Sequence, residues 1–344
     1  MSLELFQKLV DIPSTSGNES LFQKLVAKEF SQYSQVKFAD ILNNFTVQVG
    51  EGKEKVLITA HADEVGFIVT YINNEGFIYF QPVGGIDPDI AVGQVVTVLT
   101  SNGPISGIIA REEVWDTASA EPQEKIIPYK DLWIDIGANS KASEIVSVGD
   151  AVIYDMGVRK LYGSYILARG ADDKLGVYCL IELVHRFAQE PNPQVSLFAV
   201  TTTQEEIGSR GAQPAVNKIA PKYSIIIDTI AATDLPIADK EEIGDIKLGS
   251  GPAISRGSNT NTDLFVILRE IAKRENIPFQ VSAEAGPTST DADPIQISGI
   301  GTATIVVSIP VRYTHFPAEV FCWDDVENCI KLVNVFLKSL RDSI

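Results

Sequence analysis

Glu205 and Glu206 stand side by side in a chain of 344 residues that carries only three histidines. An adjacent pair of carboxylates is usually a solvated pair of charges, and by itself it says little. His61, His315, Asp63, Asp172, Asp173 and Asp228 give that pair company. A mixed set of imidazoles and carboxylates suits zinc, or manganese or cobalt with less preference. Each member also has a plainer role. Asp172 and Asp173 ahead of a helix can be a cap and a first-turn charge, and Asp228 can cap a turn.

The elements that must position these residues decide between the two. His61 follows an apolar run at 56–59, and Glu205–Glu206 follow one at 195–201. Asp228 closes the run 224–227, His315 lies shortly past 304–308, and Asp172–Asp173 open a helix at 174–189. Continuous apolar strands between helices, with further helices at 263–275 and 324–341, predict an α/β sheet covered on both faces. Ligands bind such sheets in the crevice beyond the carboxyl ends of the strands, so these distant segments should converge.

An open catalytic zinc takes about three protein ligands and a water. His61, Asp172, Glu206, Asp228 and His315 are too many for one such ion, and two ions sharing a bridging carboxylate fit better. His61, Asp172 and Asp228 would hold one, and Asp172, Glu206 and His315 the other. Glu205 is then left over, beside a ligand, where it can take a proton from water and return it to a leaving amine. Asp63 can accept the other ring N–H of His61 and fix its tautomer.

The remaining sequence is read as scaffold. Amphipathic helices are expected at 3–9 and 20–32, with a turn at 16–18. The region 67–161 differs, with short β runs at 67–72, 76–80, 94–99, 105–109, 132–136 and 151–154 and a polar stretch at 112–130. Closely spaced strands with turn signals predict a small all-β barrel or sandwich. The domain reading is therefore a discontinuous α/β domain, 1–67 and 162–344, interrupted by a β domain at 68–161.

A net charge of −17 disfavours nucleic acid and anionic membranes, which need a basic footprint. No apolar run approaches the roughly 20 residues of a membrane span. The first residues have no apolar h-region, so they read as fold and not as a secretion signal. Cys179, Cys322 and Cys329 are odd in number and form no C-x-x-C pair, consistent with a reducing cytoplasm. Cys322 and Cys329 are expected to pack together in the core, and His185, near Ile181 and Val184, to be structural.

The chain resembles the TET-type metallo-aminopeptidases, which include glutamyl, leucyl and lysyl aminopeptidases and relatives with FrvX-type or endoglucanase names. The matching segments are AHADEVGFIV (60–69), VGGIDP (83–88), ARGADDKLGVY (168–178), TTTQEEIGSRGA (201–212), IIDT (226–229), STDADPIQIS (289–298) and IPVRYTHFPAE (309–319). The resemblance implies a di-zinc exopeptidase with a three-layer α/β/α sheet domain and an inserted β-barrel domain. It implies His61, Asp172 (bridging), Glu206, Asp228 and His315 as metal ligands and Glu205 as the base. It further implies a cytoplasmic enzyme that trims peptides with a free N-terminus and forms dimers through the insertion, in many relatives six dimers in a tetrahedral dodecamer. Two departures stand out: Ser289 replaces a common glycine before Thr290-Asp291, and the wording after Asp228 is altered although Asp234 and Pro236 remain. The competing readings are a metal-dependent glycosidase or deacylase, and a shell-forming relative without activity.

Overall fold

The structure is a computed structural model that describes residues 3–31, 33, 36–112 and 127–340. The chain divides into two compact units: Met1–Glu64 with Gly157–Thr314 and Ala318–Ile344, and Val65–Met156 with His315–Pro317. The parts of the polar stretch at 113–126, residue 32 and residue 341 that the sequence reading touches lie outside the described residues.

Among the described residues seventeen strands follow in chain order. The first unit contributes β1 (Val36–Ala39), β2 (Phe45–Val49) and β3 (Glu54–His61). The second holds β4 (Gly66–Ile72), β5 (Ile78–Val83), β6 (Val95–Thr100), β7 (Gly103–Arg111), β8 (Leu132–Asp135) and β9 (Ala151–Tyr154). The first resumes with β10 (Arg159–Lys160), β11 (Tyr165–Ala168), β12 (Val195–Thr202), β13 (Tyr223–Ala231), β14 (Ala253–Gly257), β15 (Gln280–Glu284), β16 (Ala303–Arg312) and β17 (Glu319–Cys322). Its longer helices are α1 (Leu3–Asp11), α2 (Ser20–Phe30), α3 (Ala171–Gln189), α4 (Ala212–Ile219), α5 (Thr262–Arg274) and α6 (Trp323–Ser339).

Among the described residues of the first unit eleven strands form one sheet, in the order β1-β2-β12-β3-β13-β16-β17-β11-β10, with β14 attached to β16 and β15 to β14. Its centre is parallel: β12 with β3, β3 with β13, and β13 with β16. Alternation along these strands feeds two cores. Val56, Ile58, Leu197, Ala199, Ile225, Ile227, Ile305 and Val307 pack with α1, α2, α3, α5 and α6. Leu57, Phe198, Val200, Ile226 and Val306 point the other way, toward α4 and the turn carrying Ala292 and Ile295. Strands buried on both faces read as unbroken apolar runs, which is why the sequence marks them so clearly. The predicted mixed α/β class and three layers are observed.

The second unit is a closed barrel, β4-β5-β8-β7-β6-β9. Closure leaves no sheet edge to pair with another chain. Its interior centres on Phe67, which meets Phe80 edge-on at 4.9 Å and Tyr154 at 5.3 Å between ring centroids.

Several local expectations need correction. Asp228 does not close its strand, because β13 runs on to Ala231 beside Ile309–Val311 of β16. The short strands β1, β2, β10, β11, β14, β15 and β17 and the helix α4 were not marked by the sequence pattern. Cys329 sits in the large core with Cys179, whose thiol it contacts, while Cys322 belongs to a separate small cluster with Leu248 and Val320. Residues seven apart on a helix share a face, but Cys322 precedes α6 as its cap and so is turned elsewhere. All three thiols are free and buried. His185 stacks on Tyr33 at 4.6 Å, in line with a structural role. Among the described residues no helix is long and apolar enough to cross a membrane.

Candidate active site

Register brings the first unit's candidates to one level. His61, the last residue of β3, lies opposite Thr202 at the end of β12. Thr59 lies opposite Ile226 in β13, so two residues on, at the same height, come His61 and Asp228. Asp172 follows β11, which runs the same way as β16 because both are antiparallel to β17, and stands at the start of α3. Asp172 and Asp173 have non-helical backbone angles, joined by a cis peptide bond, so the regular helix begins after them.

His61 is the hub. Its Nδ1 lies 3.0 Å from the main-chain oxygen of Asp63, and its Nε2 lies 3.0 Å from Asp172 Oδ1 and 3.9 Å from Asp228 Oδ1. A carbonyl can only accept, so Nδ1 carries the hydrogen and Nε2 of the neutral ring presents a lone pair. A lone pair at hydrogen-bond distance from a carboxylate oxygen calls for a proton or a metal ion between them. Donor atoms of His61, Asp172 and Glu206 lie within 4.8 Å of one another, as do those of His61, Asp173 and Asp228. Zinc bonds to nitrogen and oxygen of about 2.0–2.2 Å are compatible with donor separations of this order.

Asp173 has other duties. Its Oδ1 accepts the N–H of Gly176 at 2.9 Å, an N-cap for the regular part of α3. Its Oδ2 accepts the N–H of His61 at 3.2 Å. A Cβ at position 176 would come within 2.4 Å of that carboxylate, so glycine is needed there. Asp172 is oriented in turn by Glu319, whose Oε2 accepts the Asp172 N–H at 3.1 Å.

Asp63 meets the ring through its main chain first. Its carboxylate is 3.6 Å from His61 Nδ1, beyond hydrogen-bond reach, and the ring uses the Asp63 carbonyl instead. The carboxylate accepts the N–H of Glu205 at 3.0 Å, the N–H of Glu206 at 3.1 Å and the hydroxyl of Ser16 at 2.6 Å. Glu205 and Glu206 are half-buried, and the Glu205 Oε1 receives Ser209 Oγ at 2.9 Å.

The electrostatics follow from this crowding. Burial, then repulsion from neighbouring acids, pushes Asp173, Asp228 and Glu206 well above the carboxylate range. The same causes move Glu205 up to about 7 and Asp291, buried behind Thr202, up to about 6. Burial opposes a charged ring at His61, but the carboxylates of Asp172 and Asp63 outweigh it and raise its pKa well above the ordinary value. A buried surplus of acids around one imidazole is a site that divalent cations would neutralise, and the donor set fits them.

Behind the site lies a buried ion cluster. Glu64 Oε2 meets Arg169 Nε at 2.8 Å, and Oε1 meets Lys174 Nζ at 2.7 Å. Oε1 also accepts the N–H of Ser14 at 3.0 Å. Burial raises the Glu64 pKa, but the two cations more than reverse this and hold it at about 2.

His315 belongs to the second unit, where its Nδ1 lies 2.8 Å from the Gly85 oxygen. Glu19, Glu64, Arg169, Lys174, Asp291 and Glu319 were given no role from sequence. All but Glu19 fall inside the family-like segments or next to their named residues, which was the available signal.

The profile of the M42 glutamyl aminopeptidases matches residues 43–332. A lysyl aminopeptidase of Pyrococcus furiosus is 31% identical, over 98% of this chain and 97% of its own. A TET aminopeptidase structure from Thaumarchaeota archaeon SCGC AB-539-E09 is 30% identical, covers 99% of this chain and 96% of its own, and superposes with a TM-score of 0.92. The Pyrococcus horikoshii TET1 peptidase is 32% identical over 98% and 99% of the two chains, with a TM-score of 0.87. With a centre able to hold divalent metal and a match over most of its length, the chain belongs to the M42 glutamyl aminopeptidase family of peptide hydrolases.

Proposed function

We propose that the protein removes N-terminal residues from short peptides with two divalent metal ions, zinc first and cobalt or manganese as substitutes. The observation that carries this is His61 Nε2 facing Asp172 at 3.0 Å and Asp228 at 3.9 Å, with Glu205 held beside Glu206. His61, Asp172 and Asp228 would hold one ion, and Asp172, Glu206 and His315 the other. His315 enters this set on its sequence motif alone. When bound, the ions would polarise the scissile carbonyl and make water a stronger acid.

The chain's own residues supply the rest. Glu205, a carboxylate next to the cluster and bonded to Ser209, takes the proton of the attacking water and delivers it to the leaving amine. The Asp63 carbonyl holds the His61 tautomer, and the Asp63 carboxylate holds the turn that carries Glu205. A glycosidase needs only two carboxylates, about 5–9.5 Å apart, and has no use for the central imidazole.

The TET1 relative is described as assembling into a tetrahedron or a large octahedral shell. We infer that this chain is likewise a homo-oligomer, with dimers built on the insertion at 68–161 and a tetrahedral dodecamer as the assembled form. Three buried free thiols support a reducing, cytoplasmic location.

The test is a panel of aminoacyl anilides, assayed before and after chelation and after return of zinc, cobalt or manganese. Loss on chelation and recovery with metal is expected. Full activity in metal-free protein, or in Glu205→Gln, would overturn the mechanism, and light scattering of the purified protein checks the assembly.

A further inference from the structure

We propose that Glu19 is a positioning residue for the reaction: with Asp63 it forms a two-carboxylate cradle that sets the turn bearing Glu205. This rests on the reading of Glu205 as the proton carrier. After β12 the chain leaves the sheet, and four successive N–H groups lose their strand partners. Each is received by a side-chain oxygen from elsewhere in the fold. Thr203 N–H goes to Asn44 Oδ1 at 2.9 Å and Gln204 N–H to Glu19 Oε1 at 3.1 Å. Glu205 and Glu206 N–H go to the two oxygens of Asp63 at 3.0 and 3.1 Å.

Gln204 has a left-handed backbone, φ 58°. Such a residue turns consecutive N–H groups to one side and makes a concavity that favours anions. Two buried carboxylates occupy that side, Glu19 at 3% and Asp63 at 0% exposure. They are themselves tied together through one short segment. Ser16, three residues before Glu19, donates its Oγ to Asp63 at 2.6 Å. One helical turn beyond Glu19, Gln23 exchanges two bonds with Thr201: its Nε2 donates to the carbonyl at 3.0 Å and its Oε1 accepts the hydroxyl at 2.6 Å. Glu19 and Gln23, four apart, thus dock on the two ends of the same exit from β12.

The Glu19 bond touches neither substrate nor a residue proposed to hold metal; of the four, only the main-chain N–H of Glu206 belongs to such a residue. What they set is the direction of the Glu205 side chain, and small displacements of a reacting group cost rate more than binding. The test compares Glu19→Ala, which removes the acceptor, with Glu19→Gln, whose amide oxygen can still receive the Gln204 N–H. Glu19→Ala is expected to lower kcat about tenfold or more, with KM within twofold and bound metal by elemental analysis unchanged. Glu19→Gln is expected to keep most of kcat. Should Glu19→Ala not fold, Glu19→Asp, one methylene short of Gln204, takes its place with the same expectation.

Unchanged kcat in Glu19→Ala would overturn the inference. So would loss of metal in step with activity, or a fall in Glu19→Gln as deep as in Glu19→Ala. Glu205→Gln is assayed alongside. If it keeps full activity, the proton-carrier reading fails; if it is inactive while Glu19→Ala is normal, only the cradle fails.

Discussion

The two units solve burial in opposite ways. Among the described residues, every buried polar or charged side chain outside the tyrosines lies in the first unit, and the barrel interior has none. The barrel is held by Phe67, Val69, Ile78, Phe80, Val96, Leu132 and their neighbours, an ordinary apolar interior. The α/β unit buries Asp63, Glu64, Asp172, Asp173, Lys174, Asp228, Asp291 and Glu319 around the end of its sheet. Buried charge is costly unless paired, so that end of the unit is arranged for chemistry and the barrel for stability.

The largest contrast should come from Glu205→Gln. A drop in kcat of about 10³-fold, near 4 kcal/mol, is expected on aminoacyl anilides. Because the substitution removes one acid from a repelling cluster, thermal unfolding of the metal-free protein should be unchanged or move upward. A lower Tm in that state would contradict the crowding described for Asp172, Glu205 and Glu206.

In the barrel the effects should reverse. Phe67, fully buried against Phe80 and Tyr154, should cost about 3–5 kcal/mol on truncation to alanine, read by denaturant unfolding. Activity per folded molecule well below the transition should change less than twofold.

Acid should find the first unit's weak point next. Glu64 is held at about 2 by Arg169 and Lys174 against an ordinary value of 4.5. A lowered folded pKa stabilises above the unfolded pKa and is lost as pH falls through the window from 4.5 to about 2. The loss is on the order of 3 kcal/mol, and its absence in Glu64→Gln would confirm the source. An acid titration of Tm that is flat in both proteins would remove the ion cluster from the account.

The smallest change concerns Gly170. Its φ is +57°, and an added Cβ would stand 2.4 Å from Glu64 Oε2. Gly170→Ala should cost about 1–3 kcal/mol, visible in Tm, and, with Asp172 two residues on as a proposed ligand, lower metal affinity. Replacing Gly149, also at positive φ but with open space around it, should cost less.

Much of this was legible beforehand, for identifiable reasons. Doubly buried strands such as Val195–Thr202 are unbroken apolar runs, and the barrel hairpins carry turn residues between alternating ones. His61, Asp172, Glu205, Glu206 and Asp228 could be named because each sits at or near a strand or helix end. The Asp63 side chain has more partners than spacing suggests, since its carboxylate stands 3.6 Å from His61 Nδ1. Two-residue spacing points to the imidazole; the main-chain carbonyl lies nearest the ring, and the carboxylate also receives the Glu205–Glu206 turn. Cys329 was paired with the wrong cysteine because helical spacing says nothing of residues on another helix.

By itself the sequence determined the inventory of candidate donors, the sheet with its two apolar faces, and the β-rich insertion. Hydrophobic periodicity is a local, one-dimensional signal and survives in any single chain. Only the tertiary structure decided which oxygen receives which N–H. Asp63 reaches Glu205 across 142 residues and Glu19 reaches Gln204 across 185. A hydrogen bond forms or fails within a few tenths of an ångström, and that reach exists only once the loops have met.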